Sequence, residues 1–293
     1  MTNILQPTYC QTQCCTQPFV LFNEDCLQTM ERMQENEVDY CLTSPPYNFN
    51  LRIHTGRYTK RSVNEKTKYD GSFKDALTMD EYFEWQKQVI EQMLRISKGL
   101  VFYNIQMITG NKVALMKLLG YFAEQVKEIL IWDKVHSEPA MSERVLNSEF
   151  EFVIVFDKNN AISRQFEVCH FERGTMANLL RIKKNSGNDA AELHSAAFPR
   201  PLPYKLIKTF TNENDVIYDP FMGTATTGLV CLELKRKFVG SEINKSYFDL
   251  SEQRLKNKVC SPKPNVVRSL LSYSTRIVCK LWNGCRKMKL IIV

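Results

Sequence analysis

Asp219-Pro220-Phe221-Met222-Gly223-Thr224-Ala225-Thr226-Thr227-Gly228 lies between an apolar stretch at 216–218 and a helix-forming stretch that runs to Leu234. Strand, small-residue turn, helix is the local signature of an α/β sheet. Gly223, Ala225 and Gly228 follow a G-x-A-x-x-G spacing, which lets backbone approach a ligand and points a helix N-terminus at it. Glu242 closes the next apolar stretch, about twenty residues after Gly223, where an acid can accept hydrogen bonds from ribose hydroxyls. This pattern suits a dinucleotide or an adenosine-bearing methyl donor equally. Gly-Lys-Ser/Thr is absent, so the loop is not of the Walker A type.

Working outward, apolar periodicity predicts strands at 19–22, 38–43, 100–103, 129–132, 152–156, 216–218 and 238–239. Helices are predicted around Leu27, Met30 and Met33, from a capping box at Thr78 to Glu81, at 112–119 with Gly120 as its stop, at 201–210, and at 244–256. Alternation of this kind implies a mostly parallel sheet with helices on both faces. From 157 to 191 the pattern weakens.

A second stretch lies early in the chain. Thr43-Ser44-Pro45-Pro46-Tyr47 ends the predicted 38–43 strand, because proline cannot donate to a ladder. An exocyclic amino nitrogen on a base is a poor nucleophile, since its lone pair is drawn into the ring. Acceptors for its two N–H groups would redirect that lone pair. Ser44 Oγ and the Pro45 carbonyl are two such acceptors, held rigid by Pro45 and Pro46. Tyr47 offers a face on which an extruded base could stack.

The chain has 293 residues, 44% of them hydrophobic, which is ordinary for a globular protein. No apolar run approaches the roughly 20 residues of a membrane span, and the polar start does not read as a signal peptide, so a cytoplasmic protein is expected. Ten cysteines in such a chain are expected to be reduced thiols. Cys10, Cys14 and Cys15 lack the partners of a zinc site, so no metal is expected. The net charge of +7 is misleading: nine Lys/Arg and no Asp or Glu fall from Lys256 onward, leaving the rest of the chain net negative. A local basic stretch with Arg52, Arg57, Lys60, Arg61, Lys66 and Lys68 follows the Ser-Pro-Pro-Tyr motif and is suited to phosphates. The resulting organisation is a polar leader at 1–18, a catalytic domain at 19–258 and a basic tail at 259–293.

Taken together, the two motifs resemble those of the β-type DNA amino-methyltransferases, in which Ser/Asp-Pro-Pro-Tyr precedes the cofactor motif. Thr43–Tyr47 is similar to the N4-cytosine form, and 219–227 to the family's Asp-Pro-Phe-x-Gly-Ser-Gly-Thr-Thr, with Thr224 and Ala225 replacing Ser and Gly. His194-Ser195-Ala196-Ala197-Phe198-Pro199 and Asn23-Glu24-Asp25-Cys26 also resemble family segments, as do Trp132-Asp133-Lys134, Arg144–Asn147 and Glu151-Phe152. The resemblance implies a seven-stranded Rossmann-like methyltransferase sheet in permuted motif order. It implies S-adenosylmethionine held by Asp25, Phe198, Asp219, Phe221, Gly223, Thr224 and Glu242, and a flipped base in duplex DNA handled by Ser44, Pro45, Pro46 and Tyr47. N4 of cytosine is the expected target, with N6 of adenine as the alternative and a non-catalytic DNA-binding relative less favoured. Segment 157–190 is the expected target-recognition region. A cognate restriction endonuclease and a monomeric or homodimeric state are compatible with this reading.

Overall fold

A computed structural model describes residues 18–49, 51–54, 57–60, 75–136, 143–184 and 199–260. In chain order its elements are β1 (Phe19–Phe22), α1 (Cys26–Arg32), β2 (Tyr40–Thr43), β3 (Leu51–His54), β4 (Arg57–Lys60), α2 (Met79–Ile96), β5 (Val101–Ile105), α3 (Lys112–Tyr121), β6 (Val126–Asp133), β7 (Phe150–Phe156), β8 (Leu179–Arg181), α4 (Pro201–Phe210), β9 (Val216–Asp219), α5 (Thr226–Glu233), β10 (Lys237–Ser241) and α6 (Lys245–Cys260). The leader, Phe198, the tail beyond Cys260 and most of the basic stretch after Lys60 lie outside the described residues. The compact unit described here ends at Lys256.

Eight strands form one sheet in the order β1-β10-β9-β2-β5-β7-β6-β8, and β3–β4 pair as a separate antiparallel hairpin. Every pairing in the large sheet is parallel except those of β7, which runs against both β5 and β6. The sheet thus has one strand more than expected. That strand is β8, three residues inside the weak-pattern segment, with Leu180 fully buried and Leu179 paired to Ile131. Three residues are too few to carry a readable alternation. The β3–β4 hairpin was also not anticipated.

Strand residues alternate between two cores, as the pleat requires. In β5, Val101, Tyr103 and Ile105 join the cluster built from α1, α2 and α3, while Phe102 joins the cluster built from α4, α5 and α6. Three helices therefore cover each face. α2 starts at the expected capping box, with Thr78 Oγ1 accepting from Glu81 N and the Glu81 carboxylate accepting from Thr78 N. In α3 the stop falls later than the glycine: Gly120 is helical, and the end is set by Phe122, whose N–H bonds Leu118 O and whose ring is buried.

At the middle of the sheet β2 has β9 on one side and β5 on the other. The chain winds outward in opposite directions from this point. In open α/β sheets ligands bind outside the strands' carboxyl ends at such a point. Thr43 and Asp219 are the last residues of β2 and β9. Both motifs singled out in the sequence therefore begin at the same place.

Candidate active site

The loop after β9 is held by its own neighbours. Gly223 has φ +51° and Ala225 φ +58°, so two left-handed residues turn the chain into α5. A Cβ at Gly223 would meet nothing within 4 Å; the glycine there answers a backbone requirement. Gly228 is different. A Cβ there would lie 2.7 Å from Phe238 and 3.1 Å from Leu255, so this glycine lets α5 pack closely on β10 and α6. Ser251 Oγ donates to Gly223 O at 2.6 Å, and the Arg254 guanidinium donates to Thr224 O, so α6 satisfies two loop carbonyls.

Glu242 follows β10 directly. Its Oε2 accepts the Gly223 N–H at 3.0 Å and its Oε1 accepts the Asn244 N–H at 2.8 Å. The strand beside it is β1: Glu242 N donates to Phe22 O, and Asn23 Nδ2 donates to Glu242 O at 2.8 Å. Asp25, three residues past β1, caps α1 by accepting the Leu27 N–H at 2.8 Å. Phe221 packs edge-on to Trp85, with centroids 5.7 Å apart.

Asp219 faces inward. Its Oδ1 accepts from Thr43 Oγ1 at 2.7 Å and from Phe221 N at 3.1 Å, and its Oδ2 accepts from Thr227 Oγ1 at 2.7 Å. Desolvation raises its pKa to about 6, against the opposing pull of these hydrogen bonds. The residue expected to touch cofactor is thus built into the frame of the loop.

The Ser-Pro-Pro-Tyr segment leads into a polar network. Ser44 Oγ and Tyr47 Oη are 2.8 Å apart. Tyr47 Oη donates to Glu151 Oε2 at 2.8 Å, and Asn104 Nδ2 reaches both Tyr47 Oη and Glu151 Oε2, at 3.0 and 2.8 Å. Lys134 Nζ pairs with Glu151 Oε1 at 2.9 Å. Tyr82 Oη donates to Pro46 O, and Asn111 Nδ2 donates to Tyr47 O, so the turn is gripped on both sides. Asn48, at φ +63°, fixes its exit through Leu77 and Gly110. Ser44 is partly exposed. Tyr47 is only 7% exposed, with its ring 5.7 Å from Phe49. The face expected to stack on a base is therefore largely covered in this structure.

Thr43, Asn104, Lys134 and Glu151 were given no site role from sequence. The missed signal was a polar residue inside an otherwise apolar strand: Asn104 in Val101–Ile105 and Glu151 in Phe150–Phe156. No group of three metal-ligating side chains occurs among the described residues.

A sheet of this topology, with an acid closing the strand beside a small-residue loop and a serine at the neighbouring strand end, defines the Rossmann-like methyltransferase class. A family model described as DNA methylase, of the N6 and N4 type, matches residues 38–253, and the chain belongs to that family of DNA amino-methyltransferases, whose methyl donor is S-adenosylmethionine. The Type II methyltransferase M.BglII of Bacillus subtilis is 24% identical over 269 residues, covering 80% of this chain and 68% of its own length. In fold, the chain is similar to PvuII DNA methyltransferase (cytosine-N4-specific), with a TM-score of 0.61, 19% identity, and 91% and 93% of the two chains covered. It is also similar to M1.HpyAVI in complex with SAM, with a TM-score of 0.55, 22% identity, and coverage of 81% of this chain and 98% of that one.

The loop's own chemistry suits such a donor. Thr224 Oγ1 and Thr226 Oγ1 are buried in it without a hydrogen-bond partner among the described residues, beside the Glu242 acceptor and the open space over Gly223. A polar ligand would satisfy them.

Proposed function

We propose that this enzyme transfers a methyl group to the N4 amino group of cytosine within a short specific site in duplex DNA. The carrying observation is Ser44, a partly exposed hydroxyl at the end of β2, joined to the cofactor loop through the adjacent Thr43–Asp219 hydrogen bond. Serine at this position resembles the N4-cytosine form of the motif, and the fold similarity to a cytosine-N4-specific enzyme is consistent with it.

S-adenosylmethionine supplies a sulfonium-bound methyl group, whose transfer leaves the bonding electrons on sulfur. Glu242 holds the ribose hydroxyls, the left-handed turn at Gly223 and Ala225 gives close backbone approach, and Thr224, Phe221 and Asp25 complete the cradle with Phe198. Asp219 keeps that cradle in register with the Ser-Pro-Pro turn. Ser44 Oγ and the Pro45 carbonyl accept the two amino hydrogens and aim the nitrogen lone pair at the methyl carbon. As the N–C bond forms, one amino proton leaves to solvent, so no strong base is needed.

The base must leave the duplex to reach Ser44, at a cost of a few kcal/mol, and for Tyr47 to offset part of that by stacking, its ring, covered in this structure, must be uncovered as the base enters. The basic stretch at 51–70 meets phosphates, and the segment 157–190 reads sequence. β8 is suited to this, since it runs parallel to β6 and Ile182 N bonds Asp133 O at the carboxyl end of the sheet. A cognate endonuclease sharing the site, and a cytoplasmic location, accord with this reading. Among the described residues no helix is long and apolar enough to cross a membrane.

Nucleoside analysis of DNA methylated by the enzyme tests the assignment. N4-methylcytosine is expected. N6-methyladenine without it would overturn the base and keep the class. Ser44→Ala should slow transfer and leave cofactor affinity nearly unchanged; full activity in that variant would remove Ser44 from its role.

A further inference from the structure

Hydrogen bonds between hydroxyls have a direction, and here a charged group sets it. Glu151 is ion-paired with Lys134 through Oε1, at 2.9 Å. Its other oxygen, Oε2, lies 2.8 Å from Tyr47 Oη. An ionised carboxylate only accepts, so the single phenolic proton of Tyr47 points at Glu151. Asn104 O, 3.5 Å away, is too far to take that proton from Glu151. Tyr47 Oη is then left with lone pairs alone. It accepts from Asn104 Nδ2 at 3.0 Å, and toward Ser44, 2.8 Å away, it can only accept. The one proton of Ser44 is thereby committed to Tyr47. Both lone pairs of Ser44 Oγ remain for whatever approaches it.

We propose that Glu151 is a positioning residue that fixes the hydrogen-bond direction Ser44→Tyr47→Glu151 and so makes Ser44 an obligate acceptor toward the target base. This rests on the function proposed above, in which Ser44 receives an amino hydrogen. It adds a specificity device. A base carrying an amino group at the reacting position is welcomed. A base carrying a ring carbonyl there meets lone pairs with lone pairs and is rejected. The chain thus separates cytosine from uracil before any chemistry occurs.

Glu151→Gln reverses the device. Lys134 demands an acceptor, so the new amide turns its oxygen to Lys134 and its Nε2–H₂ to Tyr47, and Asn104 Nδ2 loses the acceptor it has in Glu151 Oε2. Tyr47 then donates to Ser44, and Ser44 donates toward the target base. The expected result is a kcat reduced about tenfold or more, the loss that follows from one reversed hydrogen bond, with S-adenosylmethionine affinity unchanged by calorimetry. Duplexes with cytosine or uracil at the target position are compared for binding to the full-length protein. Wild type should prefer cytosine, and Glu151→Gln should lose or invert that preference. Tyr47→Phe, which keeps the ring and removes the relay oxygen, should also relax it, and the double variant should be no slower than the slower single.

Unchanged cytosine preference in folded Glu151→Gln, or losses that multiply in the double variant, would overturn the relay. If Glu151→Gln does not fold, the Tyr47→Phe preference decides alone. The wild-type product is read separately: if it is N6-methyladenine, the cytosine reading has failed, and the relay is tested with adenine against hypoxanthine instead.

Discussion

Thr43 Oγ1 donates to Asp219 Oδ1 at 2.7 Å, joining residues 176 positions apart. One closes the strand that leads to the Ser-Pro-Pro turn; the other opens the cofactor loop. Asp219 Oδ2 takes Thr227 Oγ1, so a single buried carboxylate ties β2, β9 and the first turn of α5 together. The spacing between the Ser-Pro-Pro turn and the Gly223 loop is set at this junction.

Asp219 should make stability depend on pH. Burial raises its pKa from 3.8 in an unstrained setting to about 6 in the fold, so the folded state holds its proton more tightly than the unfolded chain. That contribution is present below about pH 4 and is lost as pH rises to about 6. Relative to Asp219→Asn, the wild type should lose roughly 3 kcal/mol across this interval, at 1.36 kcal/mol per pKa unit. Urea unfolding of both proteins at several pH values measures it. Parallel curves would show that Asp219 does not titrate in this range.

Ala225 occupies a left-handed position with φ +58° and ψ 41° at the start of α5, where the resembling motif has glycine. Alanine there costs about 1–2 kcal/mol of backbone strain, and glycine would return part of that as unfolded-state entropy. Ala225→Gly should therefore stabilise by about 0.5–1 kcal/mol. A urea midpoint that moves up at constant m supports this; a midpoint that moves down would contradict it.

Gly228 should respond in the opposite sense. A methyl group there enters the Phe238 ring and crowds Leu255. Gly228→Ala is expected to cost about 1–3 kcal/mol through overpacking. Pairing it with Phe238→Leu, which clears the ring, should recover part of the loss. No recovery in the pair would mean that the strain lies elsewhere.

Glu242→Ala should weaken S-adenosylmethionine binding by about 1.5–3 kcal/mol, the range for hydrogen bonds to a charged group. Calorimetric titration reads it directly, and an unaltered affinity in a folded variant would take Glu242 out of the site.

Much of this was legible in the chain itself. The strand before Pro45-Pro46, the capping box at Thr78, and the run from Val216 to Gly228 each carry a local reason for their structure, and each formed, the first from Tyr40 to Thr43 with Val38 only in an isolated bridge. Illegible features were those whose cause lies elsewhere in the sequence. The inward turn of Asp219 depends on Thr43. The burial of Tyr47 depends on Phe49, and its hydroxyl's partner on Glu151, 104 positions away. Gly228 reads as a ligand-approach glycine until Phe238 is placed against it. Side-chain pairing across a sheet has no local period, so residue patterns alone do not announce it.

The edge strand β1 pairs with β10 in parallel, from Phe19–Phe238 to Phe22–Ser241, and Asn23 reaches Glu242 across 219 positions. Among the described residues, the first strand in the chain must therefore wait during synthesis for the last. Until β10 leaves the ribosome, β1 lacks its neighbour in the sheet and Asn23 lacks Glu242. A chain interrupted anywhere before that point carries Ser44 but lacks Glu242. Permuted motif order thus leaves the β1 edge of the sheet to be completed only once β10 is made.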